Sequence, residues 1–374
     1  MQTGVSELLE LFRQEGSASY VVLATEGRPR WVLPLAGRRV LRSAMAVYTP
    51  VTLRGLAAWH GARAVVSCGF GRLLPGRRLS ARPPLLDSVA QLVGIEGGHV
   101  AAASSFDGER GVLCVIDDSG RIRAFVKLAW SEQHAESLRR ERDTLERLKG
   151  MSMPVRLPRV IFSGELEGVA TLVITPVLGR PRLRPGGLSV QLVQASATIF
   201  RDHAGTRPLA AALPATDAED PEWSRLRSDT RAAIEPWADR SVPVGLVHGD
   251  FAPWNVLEAG RSLGVVDWEE ARFDGLPFWD LWHYAVQTAA LTRRSRSTMA
   301  LHRAIRGQGP LWHALRSYAS YVDIPVELGR MILPLYLAAT GPQPLRGGGI
   351  GEHDQSDSRS FRRRLLEEAL EVLP

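Results

Sequence analysis

The period of the hydrophobic positions changes several times along the chain, and each change predicts a different kind of element. Apolar residues recur at helical spacing from Ser6 to Gln14, after which the runs YVVLA and RWVLPL, separated by EGRPR, predict a strand pair. Helical spacing returns near residues 38–48 and 52–62. GFGRLLPG, from Gly69, reads as an ordinary turn because its glycines lack phosphate-loop spacing. The Pro- and Arg-rich PGRRLSARPP, residues 75–84, reads as a linker leading to a helix, LLDSVAQLVG. From 98 to 130 the runs HVAAASS, GVLCVIDDSG and RIRAFVKLA predict an antiparallel sheet, with Asp118-Ser119-Gly120 as a hairpin turn. SEQHAESLRRERDTLERLKG sets Leu138, Leu145 and Leu148 at helical spacing among charges and predicts an amphipathic helix.

Two more strand-like runs follow, LPRVIFSG and VATLVITPVLG, ending in a Pro- and Gly-bearing connector around 176–187. Beyond Leu188 the pattern is mainly helical until GLVHGDFAPWNVLEAGRSLGVVDWE brings loop and strand chemistry at 245–269. A flexible RGGGIGEHDQSDS is expected at 346–358, before a last helix, SFRRRLLEEALEVL. The expected class is α+β: a small sheet lobe of five strands and one helix over 93–178, then a mainly helical lobe over 179–374. Residues 1–92 are either an extension packed on the first lobe or a small accessory domain, since their apolar strands argue against a disordered tail.

With 374 residues, 45% hydrophobic and 23% charged, the chain can bury a sizeable core. It has no run near the roughly 20 apolar residues of a membrane span. Acidic residues stand near its start where a signal peptide would be basic, so a cytoplasmic location and no membrane partner are expected. Cys68 and Cys114, each flanked by apolar residues, read as buried free thiols and not as a disulfide or zinc site. The formal charge is +6, but the basic residues are scattered. The short clusters at Arg293-Arg294-Ser295-Arg296 and Arg362-Arg363-Arg364 read as solvated faces, so no nucleic-acid partner is expected. No pattern specifies an oligomer. Only two basic residues are lysines, Lys127 and Lys149, and the rest are arginines, as a GC-rich genome would produce. Each lysine is therefore a candidate for a position where arginine will not serve.

The densest chemistry lies in His248-Gly249-Asp250, with Asn255 five residues after the aspartate and Asp267 twelve after the asparagine. Phosphoryl transfer needs one group to orient the attacking hydroxyl and accept its proton, and hard oxygen donors for magnesium on the nucleotide phosphates. Asp250 suits the first task, and Asn255 and Asp267 the second. The apolar runs before His248 and Asp267 imply short strands holding the acidic residues side by side.

HGDFAPWN followed by VVDWE resembles the aminoglycoside phosphotransferase and choline kinase superfamily, relatives of the protein kinases. The resemblance implies a bilobal protein-kinase-like fold, ATP or GTP with Mg²⁺ as cofactors, Asp250 as catalytic base, and Asn255 and Asp267 as metal ligands. Asp-Trp-Glu from Asp267 stands where protein kinases carry Asp-Phe-Gly, which favours a small-molecule acceptor. Asp280, in PFWDLWHY, is implied to brace the catalytic loop together with His248, with a helix N-cap as the competing reading. The resemblance further implies a strand lysine and a helix glutamate on the α- and β-phosphates, matched by Lys127 and Glu141. Lys149, near a helix end, reads as a dipole-compensating residue. The turn SSFDGERG lacks a glycine-rich loop and leaves Ser104, Ser105 or the backbone as phosphate contacts. The adenine hinge is expected near Ile174 to Leu178, including Val177.

The implied acceptor is a small hydroxyl compound of aminoglycoside, other antibiotic, sugar or amino-alcohol type. Asp217, Glu219, Asp220 and Glu222, or Glu269, Glu270 and Asp274, are the acidic candidates for a cationic acceptor. Trp254, Trp268, Phe278, Trp279 and Trp282 are read chiefly as core. A pseudokinase-like nucleotide-binding module without transfer activity is the alternative, and a true protein kinase is disfavoured by the absent landmarks.

Overall fold

The computed structural model describes residues 4–25, 28–47, 53–105, 108–181, 188–201, 205–213, 220–292, 295–343 and 352–373. Asp217, Glu219, Arg293 and Arg294 lie outside them, as do part of the SSFDGERG turn, residues 182–187 of the expected connector and the glycine run at 347–349. The chain divides into two compact units, the first built from residues 1–151 and 157–177 and the second from 152–156, 178–346 and 350–374.

The first unit is organised on one antiparallel sheet. Its strands are β1 (Ala18–Thr25), β2 (Arg28–Pro34), β3 (Arg77–Ala81), β4 (His99–Ser104), β5 (Arg110–Ile116), β6 (Ile122–Ala129), β7 (Val160–Leu166) and β8 (Val169–Ile174), in the order β3-β1-β2-β4-β5-β6-β8-β7. Its helices are α1 (Gly4–Glu10), α2 (Arg38–Ala44), α3 (Leu53–Ser67), α4 (Pro84–Val93) and α5 (Glu132–Leu148). Residue alternation sorts the core onto two faces. Tyr20, Val22, Val32, Val126 and Leu128 pack with Leu8, Leu85 and Val89 of α1 and α4. Val21, Leu33, Cys114 and Ile116 pack on the other face with Val40, Leu41, Trp59 and Val66 of α2 and α3.

Two expectations change here. The first 92 residues extend the five predicted strands to eight through the pairing of Trp31 and Val32 with Ala103 and Ala102. The supposed linker at 75–84 contains β3, whose residues 77–81 pair with 18–22 of β1. Cys114 is buried as expected, whereas Cys68 is exposed beyond the end of α3, and both are free.

The second unit is mainly helical: α6 (Val190–Arg201), α7 (Pro221–Ile234), α8 (Trp279–Thr292), α9 (Ser295–Ile305), α10 (Gly309–Val322), α11 (Glu327–Thr340) and α12 (Glu352–Glu371). The last helix starts earlier than its sequence pattern suggests and takes in part of the expected flexible stretch. Among the described residues, six short strands complete the unit: β9 (Arg180–Pro181), β10 (Gly205–Pro208), β11 (Ser241–Val247), β12 (Val256–Ala259), β13 (Ser262–Val265) and β14 (Arg272–Gly275). They form the small sheets β10-β11-β14 and β13-β12-β9. Trp268, Phe278, Trp279 and Trp282 are buried in this core, while Trp254 is half-buried. No helix among the described residues is long and apolar enough to cross a membrane.

Candidate active site

Strand β11 delivers the chain into a tight loop at His248. Both backbone amides that leave the strand are held by one carboxylate, since His248 N–H donates to Asp280 Oδ2 (2.8 Å) and Gly249 N–H to Asp280 Oδ1 (3.1 Å). Asp280 lies in the first turn of α8 and is buried, so the helix start is tied to the loop 31 residues before it. Burial pushes the Asp280 carboxyl above its usual range, while the two backbone donors pull the other way. Burial likewise holds the His248 imidazole below its ordinary value, outweighing the nearby Asp280, Asp250 and Asp267 carboxylates. His248 is thus a neutral strut: Nε2 lies 3.0 Å from the carbonyl of Val266, and the ring meets Trp268 edge-on at 4.6 Å.

Gly249 makes the turn possible. Its φ is +82°, and a Cβ there would stand 2.2 Å from the carbonyl oxygen of Glu270. Because the clash is with backbone and the conformation disfavours any L side chain, Gly249→Ala is expected to cost about 3 kcal/mol of unfolding free energy. Urea denaturation checks this, and a midpoint equal to that of the parent protein would contradict it.

Past the turn, Asp250 is buried and both of its oxygens are engaged. Asn255 Nδ2 donates to Oδ2 at 3.0 Å and to the Asp250 carbonyl at 2.9 Å. His283 Nε2 lies 2.8 Å from Oδ1. The Asn255 carbonyl accepts from Val266 N (3.0 Å), and the Val256–Val265 register of the β12–β13 hairpin continues from that bond. The backbone therefore sets Asn255 opposite the residue preceding Asp267. Asp267 itself is half-buried in the left-handed region, φ +71°, which aspartate tolerates better than most residues. Asp250, Asn255, Asp267, His248 and Asp280 thus share one locality of the second unit.

In the first unit, Lys127 and Glu141 meet. Lys127 projects from β6 on the face opposite Ala124, Val126 and Leu128, and its Nζ lies 2.6 Å from Glu141 Oε2 on α5. Glu141 is completely buried and the lysine side chain is 17% exposed, so the pair is largely screened from water. Lys149 instead ends the same helix near Glu146, with both side chains exposed.

The Ser105 hydroxyl is spent on Arg110, donating to its carbonyl (3.0 Å) and accepting from its N–H (3.0 Å). Ser104 is buried, with its hydroxyl 3.2 Å from the Ser105 carbonyl. The buried Arg30 of β2 also donates to that carbonyl. Both hydroxyls bond within their own segment of chain. Ile174 is buried and committed to ladders with Phe125 and Val160, whereas Val177 lies past the end of β8. Of the acidic candidates, Glu269 is buried and Asp274 pairs with Arg207 at 3.2 Å. Asp220 caps α7 through the N–H of Glu222 and also pairs with Arg359.

Two residues that no motif predicts complete the arrangement: His283, and Tyr336 of α11, whose hydroxyl lies 3.3 Å from His283 Nδ1. His283 follows Asp280 by three positions and so shares its helix face, a faint signal in the sequence. Tyr336 is contributed by a helix 53 residues further on and leaves no local signal.

The model of the phosphotransferase enzyme family matches residues 109–318. No curated protein matches the chain. Among solved structures, a Thermobifida fusca protein named as a fructosamine-3-kinase is 18% identical, covers 78% of this chain and 98% of its own, and superposes with a TM-score of 0.50. A thermostable mutant of an aminoglycoside phosphotransferase is 16% identical, covering 76% of this chain and 98% of its own at a TM-score of 0.47. A spectinomycin phosphotransferase crystallised with ADP and spectinomycin is 14% identical, with 77% and 98% covered at 0.41. The first of these likenesses is one of fold: an α+β, protein-kinase-like chain with an antiparallel-sheet lobe and a mainly helical lobe.

Proposed function

This chain belongs to the phosphotransferase enzyme family, and from that premise we propose that it is a Mg²⁺-dependent small-molecule kinase carrying the γ-phosphoryl group of ATP or GTP to a substrate hydroxyl. The observation that carries the reading is the doubly held Asp250 carboxylate, kept in one orientation by Asn255 and His283 in a loop anchored by Asp280. A base of this kind orients the attacking hydroxyl and takes its proton as the phosphorus–oxygen bond forms.

With Nδ2 turned to Asp250, Asn255 keeps its amide oxygen as a hard donor, and the Asp267 carboxylate is the second. Two protein oxygens suit Mg²⁺, which completes its shell from phosphates and water. Bound there, the ion would neutralise charge developing on the phosphate oxygens. Lys127, oriented by Glu141, would contact the α- and β-phosphates as a compact point charge. Backbone groups near Val177 would receive the base. For the acceptor, the burial of Glu269 and the Arg207–Asp274 pair leave few free carboxylates in that cluster, and the net charge is +6. A sugar-type hydroxyl compound, or an amino alcohol with a single positive charge, therefore fits better than a polycation.

Thermal unfolding with ATP or GTP, with and without Mg²⁺, tests this. At a hundredfold excess over Kd, binding to the folded state adds about 2.7 kcal/mol. The rise in Tm should require Mg²⁺ and vanish in Asp267→Ala. No rise with either nucleotide would count against the reading.

A further inference from the structure

The geometry points to Tyr336 and His283 as a one-way hydrogen-bond relay that fixes the orientation of Asp250, with the Tyr336 hydroxyl donating to His283 Nδ1 and His283 Nε2–H donating to Asp250 Oδ1. The inference deepens the proposed kinase site and rests on that reading for its catalytic consequence.

The direction follows from what each group can do. An ionised carboxylate only accepts, so the 2.8 Å contact to Asp250 requires hydrogen on Nε2. A ring whose one hydrogen is on Nε2 presents Nδ1 as an acceptor, and the tyrosine hydroxyl 3.3 Å away can then donate to it. Burial pushes the Tyr336 phenol well above its usual range, which keeps that hydrogen in place. Asp250, His283 and Tyr336 are all buried, so the three groups are shielded from bulk water. The Trp279 ring packs edge-on to Tyr336 at 5.2 Å and helps fix it.

The consequence is positional. His283 holds Oδ1 while Asn255 holds Oδ2, so the carboxylate plane is set by two elements, and the proton of an incoming hydroxyl meets a lone pair of fixed direction. The same lock sets the Asn255 amide, because its Nδ2 has a fixed acceptor. His283 and Tyr336 are positioning residues, since they act through Asp250 and touch no reacting atom.

The test has two arms. In the first, histidine-¹⁵N-labelled protein is examined by long-range ¹H–¹⁵N correlation at pH 7.5, with His283→Gln identifying the His283 signals. The relay requires a neutral ring carrying its hydrogen on Nε2 in the parent protein, with loss of that single tautomer in Tyr336→Phe. An Nδ1–H ring or an imidazolium would overturn it. In the second, MgATP turnover is followed with water as acceptor. Because misplacing a catalytic group by about 1 Å can cost roughly 10²-fold, His283→Leu should lose about 10²-fold in kcat with little change in KM for ATP. Glutamine, whose Nε2 can reach the same oxygen, should recover most of that loss. Turnover by His283→Leu near that of the parent, or by His283→Gln no better than His283→Leu, would overturn the proposal. If the parent turns over no nucleotide with water, the tautomer arm alone decides the relay, and the Mg²⁺-dependent thermal shift decides the kinase reading.

Discussion

Asp250→Asn is expected to lower kcat for phosphoryl transfer by about 10³-fold, within the range that a positioned general base contributes. The loss has two sources. The amide cannot take the proton of the attacking hydroxyl, and it cannot accept at both ends. Asn255 Nδ2 and His283 Nε2 each lie within 3.0 Å of one carboxylate oxygen, so one of them would face an NH₂ group after the substitution. That mismatch is worth about 1–3 kcal/mol of stability, less than the roughly 4 kcal/mol that a 10³-fold rate loss represents. The two can be told apart by measuring turnover of MgATP beside Tm, with the Mg²⁺-dependent nucleotide shift retained. A variant within tenfold of the parent in kcat would remove Asp250 from the role of base.

Lys127→Met is expected to destabilise the first unit by about 3–5 kcal/mol, because it withdraws the ammonium 2.6 Å from the fully buried Glu141 carboxylate. Pairing it with Glu141→Gln should recover a large part of the loss, since the buried charge is then gone as well. The sign of that coupling separates an ion pair from two independent contacts. Urea unfolding of the parent, both single variants and the double variant gives the cycle, and additive losses would deny the coupling. Nucleotide-dependent stabilisation should remain lost in the double variant, because the phosphate contact is not restored. Lys127→Arg should restore little of it, since a planar fork does not reproduce a point charge on a shorter reach.

How much of this was legible beforehand depends on how far apart in the chain the interacting parts lie. The loop of His248, Gly249, Asp250 and Asn255, with Asp267 shortly after, is a short-range object: an apolar strand, a glycine able to take positive φ and a hairpin bring its members together within 20 residues. Lys127 and Glu141 were readable for the same reason, a strand followed directly by an amphipathic helix. By contrast, RRLSA looked like linker because its alternation is weak and it lies between prolines. It becomes a strand because β1, some 60 residues earlier, offers an open edge. The Ser105 hydroxyl bonds the Arg110 backbone five residues on, a contact that the pattern alone does not show. Cys68 has apolar neighbours in sequence and still lies exposed, because neighbours along a helix end do not decide which side faces the core.

The division has a physical basis. Hydrophobic period, turn residues and the order of carboxylates and amides are local properties of the chain, and by themselves they determined the α+β class, the strand and helix of the lysine–glutamate pair, and the loop carrying Asp250. Which donors complete that carboxylate was decided only by tertiary packing, which brings His283 of one helix against Asp250 33 residues away and Tyr336 of another against His283. A hydrogen bond requires both partners within about 3 Å in a defined direction. No pattern along one element can specify that for groups carried by three.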